Sequence, residues 1–347
     1  MPTWNQAIRD KLQRVKRLSK YEDSEFYTQI NDFDTVDIPI HDGKLTYWYW
    51  NNTLNAGDYY NQYLIRKLYK CPVEFVKDKG QRVDICFCGS VLLNEHVTKC
   101  HKVMGCGIQT KNHPSNLPAN TAYVALRGKI TRRFVNLNRT PKNKDILLCD
   151  PGLMLSYLYK PSKPIEKKHK LGIIAHYVDE KEVRKRYGGK YHIISMQTRN
   201  IEALANDILS CEVIFSSSLH GLIFAHSYGV PAYHVQFTDF FKNGNFKFSD
   251  YYSSFEGIQY KKYVCKDFKM DVQEILKYHE ECCATANPTQ EMVMEKQRQF
   301  LLALPYRQYL KSPSGSEKEA TEAETSPETD LSAEKKPDWK FSEFMHG

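Results

Sequence analysis

Residues 212–237 read EVIFSSSLHGLIFAHSYGVPAYHVQF, and the hydrophobic pattern changes twice within them. Val213–Phe215 is a short apolar run rich in β-branched and aromatic residues, the pattern of a buried strand, and it stops at three serines. From Leu219 a longer apolar stretch suits a helix, ended by Gly229 as C-terminal cap with Pro231 two residues on. PAYHVQF is a strand again. His220 falls in the first turn of the expected helix. Backbone N–H groups there lack intrahelical partners and favour an anion. Ser216, Ser217 and Ser218 are placed to cap that helix. Gly221 lets a ligand or a neighbouring backbone come close. Position alone leaves two readings of His220 open, a chemical group or a satisfied polar residue near a helix start. His226 and His234 lack this placement and read as structural.

The same alternation extends in both directions. Toward the N-terminus, LGIIAHYVD and HIISMQ read as strands. NIEALANDILSC reads as a helix with Ile201, Leu204, Ala205, Ile208 and Leu209 on one stripe. Before a Pro- and Lys-rich linker at about 159–169 lies a first series: the strand LTYWYW, the polar turn NNTLNAGD, a helix in YYNQYLIRKLYK, then strands in VDICFCGSVLL, KVMGCGIQ, TAYVALRG and DILLCDPG. Gly105 and Gly107 shape a strand-end turn in this reading. Two successive strand–helix series imply an α/β chain with two doubly wound, Rossmann-like sheets facing a cleft. The expected domains are 1–40, a basic N-terminal helix and lead-in; 41–160, a first Rossmann-like domain; 168–310, a second, closed by a helix near Gln290–Leu304; and 311–347, an acidic tail. From Ser312 to Lys336 the chain is Ser, Glu, Thr, Ala and Pro with almost no large apolar residue, the composition of disorder.

Composition narrows the classes. At 347 residues and 41% hydrophobic content the chain has material for two cores. The formal charge is +8, with a tail from Lys311 of −4, so the body is about +12. A basic body suits small phosphorylated or carboxylated substrates, or an anionic surface. No Lys/Arg block of five and no recognised nucleic-acid motif occurs, so nucleic acid is not an expected partner. The ten cysteines are irregularly spaced, several within apolar runs, and read as reduced thiols. Cys86, Cys88, Cys100, His101 and Cys106 lack the C-x-x-C pairs of a zinc site, so no metal is expected. The first twenty residues have no signal-peptide h-region. They read as an amphipathic basic helix packed on the body, with an anionic membrane surface as the alternative. No run of 18 apolar residues occurs to span a membrane, and the default location is cytoplasmic.

SSSLHGLIFAHSYGVP, together with NAGDYYNQYLIRKL, FCGSVL, GCGI, LRGKITRR, CDPGLML, LGIIAHYVD and NFKFSDYY in that order, resembles the polysaccharide pyruvyl transferase family over Tyr47–Tyr252. The resemblance implies a GT-B-like fold and transfer of the enolpyruvyl part of phosphoenolpyruvate to a sugar or glycan acceptor, closing a cyclic ketal. Phosphoenolpyruvate is then a substrate, and no cofactor is needed. The chemistry requires donors for a phosphate and a carboxylate, and an acid and a base. His220 is the first choice for acid/base work or phosphate contact. Arg127 is the expected anion clamp, its alternative a surface salt bridge. Asn55, Gly57 and Asp58 sit at a loop-to-helix junction, with Asp58 either the base that activates the sugar hydroxyl or the helix N-cap. His176, Gln197 and Arg199 follow strand ends and are expected to contact substrate, with Ser217, Ser218, Leu219 and Gly221 around His220. Many family members carry Arg where this chain has Ser218, which Arg127 or Arg199 would have to offset. The competing readings are a glycosyltransferase of the same fold using a nucleotide sugar, and a non-catalytic binding protein.

Overall fold

The computed structural model describes residues 40–78, 80–109, 121–137, 146–238, 245–265, 268 and 271–311. The N-terminal basic helix and the acidic tail expected from Ser312 lie outside them. The first half contains β1 (Leu45–Tyr47), α1 (Ala56–Leu68), β2 (Val73–Phe75), β3 (Ile85–Cys86), α2 (Glu95–Thr98), β4 (Lys102–Met104), β5 (Ala122–Leu126), α3 (Lys129–Leu137) and β6 (Leu147–Leu148). A 3-10 turn, Pro151–Met154, leads into α4 (Leu155–Leu158). The second half contains β7 (His169–Ala175), α5 (Glu180–Tyr187), β8 (His192–Ser195), α6 (Ile201–Leu209), β9 (Cys211–Ser216), α7 (Leu219–Ser227), β10 (Ala232–Gln236), α8 (Asn245–Tyr252), β11 (Lys262–Val264), α9 (Val272–Ala286) and α10 (Gln290–Ala303).

All strand pairings are parallel. The first sheet has the order β2-β1-β3-β4-β5-β6 and the second β11-β10-β9-β7-β8. Counted within each half, both run second, first, third, fourth, fifth, and the first sheet adds a sixth strand. In such sheets the order reverses beside the first strand, and the carboxyl ends flanking that reversal form a crevice. The crevices here lie between β1 and β3, and between β7 and β9.

Strand pleating divides the core into three clusters. Val103, Tyr123 and Leu126 face one cluster with Val97 and Val135. Leu171, Ile173, Val213, Phe215, Tyr233 and Val235 face another with Val183 and Ile275. The alternate residues, among them Leu45, Tyr47, Ile85 and Met104 of the first sheet and Ile174, Ile214 and Ala232 of the second, belong to one central cluster with α1, α6, α7 and α10 between them. The described residues fall in one compact unit. The closing helix expected near Gln290–Leu304 is α10, and it returns to the first half. Lys296 Nζ donates to Leu148 O (2.7 Å) and Gln297 Nε2 to Leu153 O (2.7 Å). Among the described residues no helix is long and apolar enough to cross a membrane.

A second tie between the halves is ionic. Arg127, just after β5, meets Asp250 of α8: Nε donates to Oδ2 at 2.9 Å, with the two side chains 1% and 0% exposed. Asp250 also accepts from Thr131 N (2.8 Å) and Thr131 Oγ1 (2.6 Å) of α3. Removing one partner of such a pair leaves an uncompensated buried charge, at a cost of about 3–5 kcal/mol. Asp250→Ala is expected to lower the unfolding free energy by that amount in urea titrations. A loss below about 1 kcal/mol would show that the pair does not hold the halves together.

Candidate active site

Loops after the carboxyl ends of the two sheets touch. Ala56 N, at the start of α1, donates to Met196 O just beyond β8 (2.7 Å). The next residue, Gly57, lies against the imidazole of His220, and a Cβ at position 57 would sit 2.2 Å from Nδ1 and 2.7 Å from the histidine's own Cβ. No side chain fits there, so glycine is required by close approach. Asn55 is the N-cap of α1, its Oδ1 accepting from Gly57 N at 2.9 Å. The cap role is thus filled, and Asp58, in the first turn, is free of it. Burial pushes the Asp58 carboxyl up to about 7, against the pull of the Lys247 ammonium.

His220 lies in the first turn of α7 with its side chain 11% exposed. Its Nε2 has no hydrogen-bond partner among the described residues and stands 3.9 Å from Asp150 Oδ1. Burial, then the charges of Arg127 and Lys247, push the imidazole down to about 3, so the ring is neutral at neutral pH. Asp150 follows β6 and is buried. Burial pushes its carboxyl up to about 6, although Oδ1 accepts from Gly152 N at 2.9 Å. Cys88, beyond β3, completes a group with these two. One potential ligand atom from each of Cys88, Asp150 and His220 lies within 4.8 Å of the others. The cysteine–histidine cluster around Cys86 and Cys100 forms no such group among the described residues.

The serines do not cap α7 in the expected way. Ser218 occupies the N-cap position without a side-chain bond. Instead Ser216 Oγ accepts from Ser218 N (3.0 Å) and donates to Ser218 O (2.7 Å), fixing the turn from below. Ser217 Oγ accepts from His176 N (2.8 Å) and donates to Asp179 Oδ2 (3.1 Å), which ties the end of β9 to the loop after β7. Leu219 is buried in the central cluster. Gly221 faces Ile174 of β7 and the Ser216 hydroxyl, so its close approach serves packing rather than a ligand. His176 is buried beside Tyr177, and burial with the charge of Lys247 pushes it down to about 3. Gln197 and Arg199 are exposed beyond β8, with Gln197 Nε2 donating to Glu180 Oε2 (3.2 Å). His226 and His234 are buried and bonded to Tyr251 Oη and Tyr260 Oη respectively.

Arg127 is neither surface bridge nor open clamp. Beyond Asp250, its Nη1 donates to Ser90 Oγ (2.6 Å) and its Nη2 to Ile108 O (2.7 Å). The guanidinium is committed to protein groups and reaches His220 only through its field. The cation that reaches the site is Lys247 of α8, absent from the sequence-derived set. It is half-buried, and its charge acts on His220, His176, Asp58 and Asp179. Burial and Arg127 push it down to about 8. Asp150, Cys88 and Lys247 all lie in stretches that carry the family resemblance, yet nothing local in the sequence shows that they face His220.

The Gly57–His220 contact yields a signed prediction. At an ordinary helix position Gly→Ala stabilises by roughly 1 kcal/mol. Here Gly57→Ala is expected to destabilise by about 1–3 kcal/mol through overpacking. In a His220→Gly background the same change should turn neutral or stabilising. A double-mutant cycle in urea with no coupling between the two sites would contradict the contact.

A sequence model of the polysaccharide pyruvyl transferase family matches residues 27–236, ending with β10. An uncharacterized protein of Acanthamoeba polyphaga mimivirus is 32% identical over 239 residues, 66% of this chain and 81% of that protein. Among solved structures, the wall teichoic acid polymerase TagF aligns over 87% of this chain and 98% of its own, at 8% identity and a TM-score of 0.36. The C-terminal part of E. coli RcsC aligns over 69% and 94%, at 12% identity and a TM-score of 0.20. At those scores neither structure bears on what the chain does. The matched segment holds Asn55, Asp58, Cys88, Arg127, Asp150 and His220 and covers more than half of the sequence, and the chain belongs to the polysaccharide pyruvyl transferase family.

Proposed function

We propose that the protein transfers the enolpyruvyl group of phosphoenolpyruvate to a sugar carrying two suitably spaced hydroxyls, forming a cyclic pyruvate ketal and inorganic phosphate. The observation that carries this reading is the His220 ring nitrogen, buried without a hydrogen-bond partner among the described residues where the carboxyl ends of both sheets converge. Family membership supplies the reaction class.

The balance of the reaction assigns the roles. The methylene carbon of the donor gains a proton, its neighbour becomes oxocarbenium-like, and the first sugar hydroxyl adds there. The second hydroxyl closes the ring as the C–O bond to phosphate breaks. Of the two hydroxyl protons, one replaces the proton delivered to carbon and the other leaves with phosphate. Asp58, held near 7, is half protonated at neutral pH and suited to give the first proton and then accept one from the attacking hydroxyl. His220, neutral at rest, contacts the phosphate through Nε2 and passes on the second proton. Lys247 supplies the positive charge that Arg127 and Ser218 do not. No metal step is needed for this balance.

Three measurements test the reading. Incubation with phosphoenolpyruvate and a panel of hexosides with free 4- and 6-hydroxyls is expected to release phosphate and to give a ketal detectable by mass spectrometry. His220→Ala and Asp58→Asn should each lower turnover by about 10²–10⁴-fold with the fold intact. Consumption of nucleotide sugars in place of phosphoenolpyruvate, or full turnover by His220→Ala, would overturn it. The pH dependence has a definite sign. As pH rises, Asp58 gains negative charge near 7 and Lys247 loses positive charge near 8. Both changes weaken an anionic donor, so its dissociation constant should rise between pH 6.5 and 9. Calorimetric titration of Lys247→Gln should show weaker binding with a flatter upper limb. An affinity that grows with pH contradicts these assignments.

A further inference from the structure

Cys88, Asp150 and His220 come from three different strand-end segments, after β3, after β6 and after β9, yet their donor atoms lie within 4.8 Å of one another. The mixture of sulfur, carboxylate oxygen and imidazole nitrogen is that of a transition-metal site rather than of an alkaline-earth site. Each ligand is also held from behind. The Cys88 backbone is bracketed by the Asn61 amide, with Cys88 N donating to Oδ1 (2.8 Å) and Asn61 Nδ2 donating to Cys88 O (3.4 Å). Asp150 Oδ1 is oriented by Gly152 N. The His220 ring rests on Gly57, where no side chain fits. The His220 Nε2 has no hydrogen-bond partner among the described residues and points toward Asp150 Oδ1 at 3.9 Å. Tetrahedral zinc, with bonds of about 2.0–2.3 Å, spans donor separations of roughly 3.3–3.8 Å. Side-chain adjustments of the order of 1 Å close the set around one ion.

We infer that Cys88, Asp150 and His220 form a three-ligand site for one zinc-like divalent cation, with a fourth position open to water or to an oxygen of a bound molecule. On binding, the Cys88 thiol proton passes to buffer and the thiolate takes the metal. Resting on the transfer reaction proposed above, the ion occupies the same Nε2 that contacts the phosphate. Zinc is therefore an inhibitor of transfer, removed by a chelator.

The test uses the full chain, stripped of metal with a chelator and titrated with Co²⁺ as the probe. One equivalent should produce a near-ultraviolet thiolate-to-cobalt charge-transfer band, and Zn²⁺ should abolish it. The band is expected to vanish in Cys88→Ser, and His220→Gln should weaken affinity at least about tenfold, with melting curves confirming folded variants. Changing Cys71 or Cys283, the two thiols only partly buried, should leave it unaltered. No band in the parent chain, or a band that survives in Cys88→Ser, overturns the site. If Cys88→Ser fails to fold, Asp150→Asn and His220→Gln serve instead, and unchanged Co²⁺ affinity in both overturns it. Zinc that binds with undiminished transfer upholds the metal site and refutes the phosphate contact assigned to His220, so the two ideas fail separately.

Discussion

The buried pair between Arg127 and Asp250 sets the geometry on which the site depends. Two charges without access to water do not by themselves stabilise a fold, because desolvation consumes most of their attraction. This pair is accommodated because each guanidinium nitrogen and each carboxylate oxygen has a partner: Ser90 and Ile108 accept from the two Nη atoms, and Thr131 donates to the carboxylate from two directions. What the network does is positional. It docks α8 of the second half onto the start of α3 in the first. Lys247 lies one turn before Asp250 on α8, so the same contact that fastens the helix also fixes where the site receives its positive charge.

That dependence explains why the site lies where it does. Each half has a sheet of the same order, and each sheet has one crevice at the carboxyl ends beside its first strand. A crevice on one sheet alone offers a few loops. Bringing two together places Gly57 under His220 and Asp150 beside it, residues 163 and 70 positions away in the chain. The central apolar cluster, drawn from both halves, and the return of α10 to Leu148 and Leu153 oppose separation of the two ends. Preorganisation of this kind reduces the cost of assembling catalytic groups around a substrate.

The strands at the centre of each sheet were legible because burial on both faces demands continuous apolar runs such as LGIIA and EVIF. Of the edge strands, β6 and β8 kept apolar runs, in DILLCDPG and HIISMQ, and were legible, while β2 and β11 were not. VEF, at 73–75, and KYV, at 262–264, pair on one side only, so their composition is free to be mixed. α5 was hidden by its charge: in EKEVRKRY only Glu180, Val183 and Tyr187 are buried. At the site, His220 and the Asn55–Asp58 junction could be read from turn chemistry, which is local. The role of Arg127 could not. A guanidinium near a strand end suits a ligand clamp as well as an internal ion pair, and only Asp250, 123 residues away, distinguishes them. Lys247 was missed for the same reason. Its effect comes from the groups around it, not from its neighbours in NFKFSDYY.

The electrostatics of the converged site share one cause. Burial is the largest influence on every shifted group: it raises Asp58 and Asp150 and lowers His176, His220 and Lys247. Desolvation disfavours whichever form is charged, so acids and bases are displaced toward neutrality together. Asp58, Asp150 and Lys247 are thereby drawn toward the physiological range, to about 7, 6 and 8, whereas His176 and His220, pushed down to about 3, are held neutral. An arriving polyanion reverses the balance, because its charge favours protonated imidazole and ammonium and further disfavours the carboxylates. A solvated cluster of the same residues could not behave in this way, since water would hold each group at its ordinary value before and after binding.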